Sequence, residues 1–339
     1  MAFFIVTLFL CSIAFLQGGV LSFAPSSLSA VARTRLFAET VKSSTDESTS
    51  QVLLKRDRYV ATNRFSVRSG KEGKFEQRWA NRKSRLATLE GFKYFHLMRR
   101  VDPNNKYLQT DENGETMGNY VSFTVWEKKS HFSAWRTGEA FKEAHGGTSI
   151  AAFVSTLVSS ALVLKGAPRP AFYDGLLLQS MTPENVPKVV DGWRSISGGD
   201  DNGILPSECF VACNQFFVPS QNALAFEQRW ANRQSKLKDC PGFIGFTMMR
   251  RDIKSNKGHG TVPMDSDTEP TYVSTTLWKY QPSFQAWRDS SNFSNSHGSN
   301  KPNDNEKPTP AASPKPLWTK PPVPVFYEGK LVITTEKGI

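Results

Sequence analysis

Three kinds of residue in this chain are equipped for chemistry, and each stands at matching places in two halves: Asn63 and Asn214, Trp126 and Trp278, His145 and His297. Asn63 shares an alternating strand face with Phe65 and Val67, and Asn214 shares one with Phe216 and Val218. An amide on an apolar face costs ~1–3 kcal/mol unless it is bonded. Such an amide is therefore either satisfied by backbone or held as a donor aimed into a pocket. His145 falls one helical turn after Phe141, and His297 one turn after Phe293. The other histidines, His96, His131 and His259, have no counterpart in the opposite half. A histidine so placed either caps a helix C-terminus as a cation, which the dipole favours by ~0.3–1 kcal/mol, or offers a neutral imidazole to iron. No cysteine or carboxylate accompanies it at metal-site spacing, which argues against a protein-only zinc site. A haem needs only one axial ligand. Trp126 and Trp278 end a strand, where tryptophan is ordinarily core.

These residues are positioned by a duplicated unit. The string FEQRWANR occurs at Phe75–Arg82 and again at Phe226–Arg233, and the same spacing relates Gly91-Phe92 to Gly242-Phe243 and Met98-Arg99-Arg100 to Met249-Arg250-Arg251. Each unit, of about 120 residues, is far longer than a solenoid repeat. Tyr59–Val67 has strand composition, and Gly70–Leu86 carries Phe75, Trp79 and Leu86 on one helical stripe. Gly91–Val101 reads as a strand, Asp102–Asn119 as a polar loop and Tyr120–Trp126 as a strand. In the last, Val121, Phe123 and Val125 face one way while Tyr120, Ser122, Thr124 and Trp126 face the other. Lys129–Ala144 reads as one helix ended by Gly146-Gly147, and Pro170–Leu178 as the last strand. The order βαββαβ is ferredoxin-like, in the α+β class. Such a sheet covers one face with helices and leaves the other bare. Two copies closing their bare faces form an intramolecular dimeric α+β barrel, a pseudo-dimer within one chain. The expected division is residues 56–180 and 208–339, joined by a linker at 181–207.

The chain carries a formal charge of +11 but no dense Lys/Arg block, so nucleic acid is not an expected partner. Cys209 and Cys213 lie on one strand ~13 Å apart, too far for a disulfide, which suggests free thiols and a reducing compartment. Ala2–Phe15 is a signal-peptide core within residues 1–22, and residues 23–55 begin a Ser- and Ala-rich stretch with transit-peptide composition. The stretch LSFAP resembles the junction of bipartite leaders in algae with secondary plastids, which implies a plastid address by the secretory route; simple secretion is the alternative. Ser149–Leu164 is uncharged and reads as a buried helix rather than a membrane span, so no stable membrane insertion is expected once the leader is removed. Residues 298–324 of the second unit are polar, then Pro-rich, and read as a mobile loop.

With Asn, Trp and His in register, each unit resembles the antibiotic-biosynthesis-monooxygenase domain, and within it the Isd-type haem-degrading monooxygenases. The matching text is NRFSV, LEGF, TVWEKKSHFSAW and FKEAH in the first unit, and NQFFV, CPGF, TLWKYQPSFQAW and FSNSH in the second. The resemblance implies that His145 and His297 are proximal ligands to haem iron. It implies that Asn63 and Asn214 hydrogen-bond the distal ligand and that Trp126 and Trp278 press the macrocycle out of plane. Haem would be both substrate and oxygen-activating centre. Electrons would come from an external donor, a reductase or small reductant, because neither unit has a flavin or nicotinamide fingerprint. Arg99, Arg100, Arg250 and Arg251 read as solvated, with the haem propionates as the alternative partners. Two other readings keep the barrel: a cofactor-free monooxygenase acting on a phenolic or quinol, and a non-enzymatic haem-binding protein.

Overall fold

The structure, a computed structural model, describes residues 53–82, 85–104, 106–108, 118–144, 158–180, 194–195, 209–233, 235–252, 269–291, 293 and 316–334. The leader, most of the linker, and His145 and His297 lie outside the described residues. The strands are β1 (Arg58–Phe65), β2 (Phe92–Val101), β3 (Tyr120–Trp126), β4 (Arg169–Ser180), β5 (Arg194–Ser195), β6 (Phe210–Phe216), β7 (Phe243–Arg251), β8 (Tyr272–Trp278) and β9 (Val323–Thr334).

Eight of them close into an antiparallel barrel in the order β2-β3-β1-β4-β7-β8-β6-β9, with β9 pairing back to β2; the short β5 adds to the far side of β9. Two four-stranded ferredoxin-like sheets are therefore fused edge to edge. The seams are β4 with β7 and β2 with β9. Both seams depend on the long strands. The first half of β4 pairs with β1, and the second half continues onto β7. A register shift between Leu176 and Gln179 accommodates the crossing, and Leu177 there has φ 53. Closure leaves neither sheet's long edge exposed.

Strand alternation sorts the core into three layers. Val60, Tyr94, Phe123, Val125, Val211, Leu277 and their neighbours fill the lumen. Tyr59, Phe65, Phe75, Phe95, Tyr120 and Trp126 pack between the first sheet and its helices. Phe210, Phe216, Phe226, Phe246, Tyr272 and Trp278 do the same in the second half. The two-way split expected along Tyr120–Trp126 is the split observed.

The helices differ from expectation. The first runs only over Glu72–Ala80, and Leu86 reaches the core from a separate 3₁₀ turn, Leu86–Thr88. The chain tightens at Asn81, whose N–H donates to Gln77, while Arg82 donates to Trp79. The expected single helix over 129–144 is two, Lys129–Thr137 and Glu139–Ala144, broken at Gly138 with ψ 171. The segment expected as a buried helix before Leu164 is helical over 158–163 within the described residues, but Val158 is 56% and Leu162 is 60% exposed. Among the described residues it is held through buried Val163 and Leu164, the Leu164–Val67 bridge and a hydrogen bond from Arg78 to the Ser160 hydroxyl at 3.2 Å. No helix among the described residues is long and apolar enough to cross a membrane. Residues 316–322, expected to belong to a mobile loop, are tied to the second unit. Trp318 packs on Phe216, and Thr319 donates its N–H to the Phe217 carbonyl.

Two buried side chains missed in the sequence hold the turn after the first strand of each unit. Asn119 accepts from the Val67 N–H at 2.7 Å and donates to its carbonyl at 3.0 Å. In the second unit Thr271 takes that place, accepting from Val218 at 2.8 Å. Gly118 lets Asn119 approach: its φ is 65, and a Cβ there would sit 2.5 Å from the Phe65 carbonyl oxygen. Gly118→Ala is expected to lose at least ~2 kcal/mol, about 4 °C of melting midpoint for a domain of this size. Gly70→Ala, with φ 75 but open space around the added Cβ, serves as control in the same thermal melt. Equal losses at the two positions would remove the contact with Phe65 from the argument.

Candidate functional site

Asn63 sits on β1 between Ser122 of β3 and Pro170 of β4, and Asn214 sits on β6 between Ser274 and Pro324. Both side chains lie on the outer, helix-facing side of their sheet, as the alternation with Phe65 and Phe216 requires. Neither amide hydrogen-bonds another described residue. Asn63 is half-buried and Asn214 exposed. Backbone satisfaction, the plainer of the two expectations, is not what holds them.

Trp126 and Trp278 are fully buried on the same face. Trp126 meets Phe92 edge-on at 5.5 Å and Trp135 at 5.5 Å. Trp278 repeats this with Phe243 at 5.5 Å and Trp287 at 5.4 Å. The indole Nε1 atoms of both are buried with no hydrogen-bond partner. A buried orphan donor costs ~1–3 kcal/mol, and it is kept at equivalent places in both halves. Trp135 then meets Phe141 edge-on at 5.0 Å, and Trp287 meets Phe293 at 4.9 Å. The helix that leads into His145 is thus docked, through Phe141, onto the indole that lies on Trp126. Phe293 does the same ahead of His297.

Around this centre the two halves differ. In the first, the Tyr59 hydroxyl donates to Asp252 at 3.1 Å, and Lys129 pairs with the same carboxylate at 2.6 Å. The counterpart of Tyr59 is Phe210, which stacks on Phe326 at 5.8 Å. Gln281, in the place of Lys129, donates to the Pro103 carbonyl.

Three of the four arginines expected to be solvated, Arg99, Arg250 and Arg251, are in ion pairs. Arg99 pairs with Glu72 at 3.4 Å and Glu76 at 3.9 Å. Arg250 pairs with Glu227 at 2.9 Å and Asp174 at 3.1 Å. Arg251 shares Glu269 with Arg64, at 3.1 and 2.6 Å. Desolvation acts to lower the Arg64 guanidinium, but the bond to Glu269 outweighs it and the group is raised. The last residues of the repeated string behave differently: Arg82 stacks over Trp79 and Arg233 over Trp230, and burial brings each down to about 10.

The lumen has its own polar groups. Cys209 lies 3.8 Å from His96, and Cys213 lies 3.5 Å from Thr275. Cys209, Cys213 and Cys240 are in no disulfide. Burial raises Cys209 and pushes Cys213 up to about 12, so both remain protonated at neutral pH and are not nucleophiles. A cavity of about 50 Å³ opens among the lumen residues, on the opposite side of the sheet from Asn63 and Trp126. That volume admits roughly four water-sized groups, far less than a macrocycle.

A family model described as antibiotic biosynthesis monooxygenase matches residues 58–147 and 209–298, more than half of the chain. A haem oxygenase (staphylobilin-producing) from Staphylococcus haemolyticus is 30% identical over 107 residues, covering 32% of this chain and 91% of that protein. Two solved structures named as monooxygenases are similar over most of the chain. The one from Fusobacterium nucleatum has 9% identity and a TM-score of 0.48, with 82% and 95% of the two chains covered. The one from Lactobacillus acidophilus has 7% identity and a TM-score of 0.47, with 83% and 97% covered.

Proposed function

Because the chain belongs to the antibiotic biosynthesis monooxygenase family, we propose that it is a tandem haem-degrading monooxygenase, opening the macrocycle with O₂ and electrons from an external reductant and releasing iron. The observation that carries this reading is the twofold set on the outer face of each sheet. An unbonded asparagine amide, a buried tryptophan with an orphan Nε1, and an aromatic relay to the segment preceding a histidine recur in both halves. The 30% identity to a haem oxygenase supports the same substrate.

The buried rings Phe92, Phe132 and Trp126 in the first unit, and Phe243, Phe284 and Trp278 in the second, are apolar surface of the kind a flat, largely apolar substrate would contact. Haem iron, when bound, supplies the oxygen activation that no side chain here can supply. His145 and His297 would hold that iron through a neutral imidazole nitrogen. The amides of Asn63 and Asn214, which hydrogen-bond no described residue, would be available as donors to a bound substrate. The fully buried indoles of Trp126 and Trp278 give a rigid wall, and the surrounding rings exclude water. Trp135 lies directly on Trp126, so this reading requires the helix pair Lys129–Thr137 and Glu139–Ala144 to lift from the sheet. The break at Gly138 supplies a place to bend.

The test is a haemin titration of the purified protein followed by ascorbate under air. A shifted Soret band that saturates near two equivalents, then bleaches with release of chelatable iron, is the expected result. No Soret shift would sink the haem reading and leave a cofactor-free monooxygenase. A stable complex that does not bleach would make the protein a carrier.

A further inference from the structure

We propose that the barrel lumen is a second binding site, independent of the outer faces, for a short-chain aliphatic carboxylate. The argument begins with a break in the pseudo-symmetry. Tyr94 of β2 points into the lumen, and the residue at the same place in the second unit is Gly245 of β7. Each follows the same register irregularity, between Phe92 and Tyr94 in one half and between Phe243 and Gly245 in the other. The tyrosine ring that the duplication would have placed at 245 is missing, and the cavity of about 50 Å³ is lined there by Gly245, Ile244, Phe246 and Leu277.

The same asymmetry puts charge at one rim. Arg58 and Lys93 line the cavity, and their counterparts in the second unit are Cys209 and Ile244. No carboxylate is among its described lining residues; the Asp57 carboxylate, next to Arg58 in the chain, accepts from the Leu178 N–H at 3.2 Å. Arg58 donates to the Asp57 carbonyl and joins no ion pair among the described residues. Lys93 is 3.9 Å from the half-exposed Glu127, a weak pair. The strand directions bring the starts of β1, β2 and β7 to the same end of the barrel as the end of β4. Two cations therefore sit at the rim, and Phe123, Thr275 and Met249, farther along their strands, lie deeper. The β4 irregularity is at this rim as well. Leu177 adopts φ 53, a conformation disfavoured for leucine, and the two residues after it, Leu178 and Gln179, line the cavity.

A cationic rim over an apolar pocket selects an anion with a hydrocarbon tail. The space holds a tail of roughly four carbons. An ammonium head would meet Arg58 and Lys93 as like charges, and a neutral alcohol would gain nothing from them.

The probe is sodium hexanoate, titrated into the full chain carrying ¹³C-methyl methionine, with hexylamine and hexanol as controls. The Met249 methyl, which lines the cavity, should shift and saturate with hexanoate, while Met248, on the helix side of the same strand, should not. Arg58→Gln combined with Lys93→Gln should weaken hexanoate by about tenfold or more. Gly245→Leu, which fills the space, should abolish the Met249 response with the fold retained by thermal melt. Absence of a saturable Met249 shift overturns the proposal, as does hexylamine or hexanol binding as well as hexanoate. If Gly245→Leu does not fold, the rim pair decides: both residues are partly exposed, and undiminished binding in that double variant overturns the assignment.

Discussion

Replacing Glu227 with alanine is expected to lower the melting midpoint by about 6–10 °C, far more than replacing its twin Glu76. Both are the glutamate of the repeated FEQRWANR string. Glu227 is 1% exposed and has three partners: the Tyr272 hydroxyl at 2.8 Å, Arg250 at 2.9 Å and the Leu54 N–H at 2.6 Å. Alanine leaves a guanidinium, a phenol and a backbone donor without that acceptor. Breaking a buried pair from one side costs ~3–5 kcal/mol, and about 2 °C accompanies each kcal/mol in a domain this large. Glu76 accepts from the Tyr120 hydroxyl at 2.6 Å, but its side chain is 30% exposed and Arg99 stands 3.9 Å away. Water can replace much of what its loss removes, so Glu76→Ala should cost ~1–2 kcal/mol. Paired thermal melts check this. If the two variants lose equal stability, burial is not what makes Glu227 matter, and the asymmetry between the halves is only geometric.

That glutamate shows where the sequence stopped being readable. The repeat was visible as text, and its Phe75, Trp79, Phe226 and Trp230 fell on the expected apolar stripe. The strands were also legible, because alternation over Tyr120–Trp126 has a period that only a strand satisfies. Closure of two bare sheet faces followed from the need to bury them. The charged members of the same string were not legible. Local pattern places a helix glutamate in solvent, whereas Glu227 is covered by Leu54 from upstream and by Arg250 and Tyr272 from two strands. Tertiary partners decide that burial, and Arg99, Arg250 and Arg251 were misread for the same reason. Gly138 broke a helix whose periodicity ran straight across it, and Val158 and Leu162, read as core, are exposed. The lumen cavity needed two steps together: the register that equates Tyr94 with Gly245, and the knowledge that position 94 faces inward. In the candidate site, the sequence could pair the asparagines and tryptophans, but their lack of hydrogen-bond partners among the described residues is a three-dimensional fact.

The proposed function makes its largest prediction at the two histidines. His145→Ala and His297→Ala together are expected to abolish the Soret shift on adding haemin, a loss of at least about 100-fold in affinity, since removing a direct ligand exceeds the 10–100-fold typical of its supporting residues. Each single change should halve the stoichiometry rather than weaken both sites, because the two outer faces lie on different sheets with separate cores. The halves should also be unequal. Asn63 is half-buried where Asn214 is exposed, and only the first face carries the Tyr59, Lys129 and Asp252 cluster beside its tryptophan. A more enclosed donor is stronger, because less water competes for it. His297→Ala, which leaves the first face intact, should therefore retain the tighter site and the faster ascorbate-driven bleaching. His145→Ala should retain the weaker one. Titrations of the two single variants measure this order directly. A double variant with an unchanged Soret band would show that neither histidine is the ligand. Equal single variants would show that the polar cluster on the first face has no part in binding.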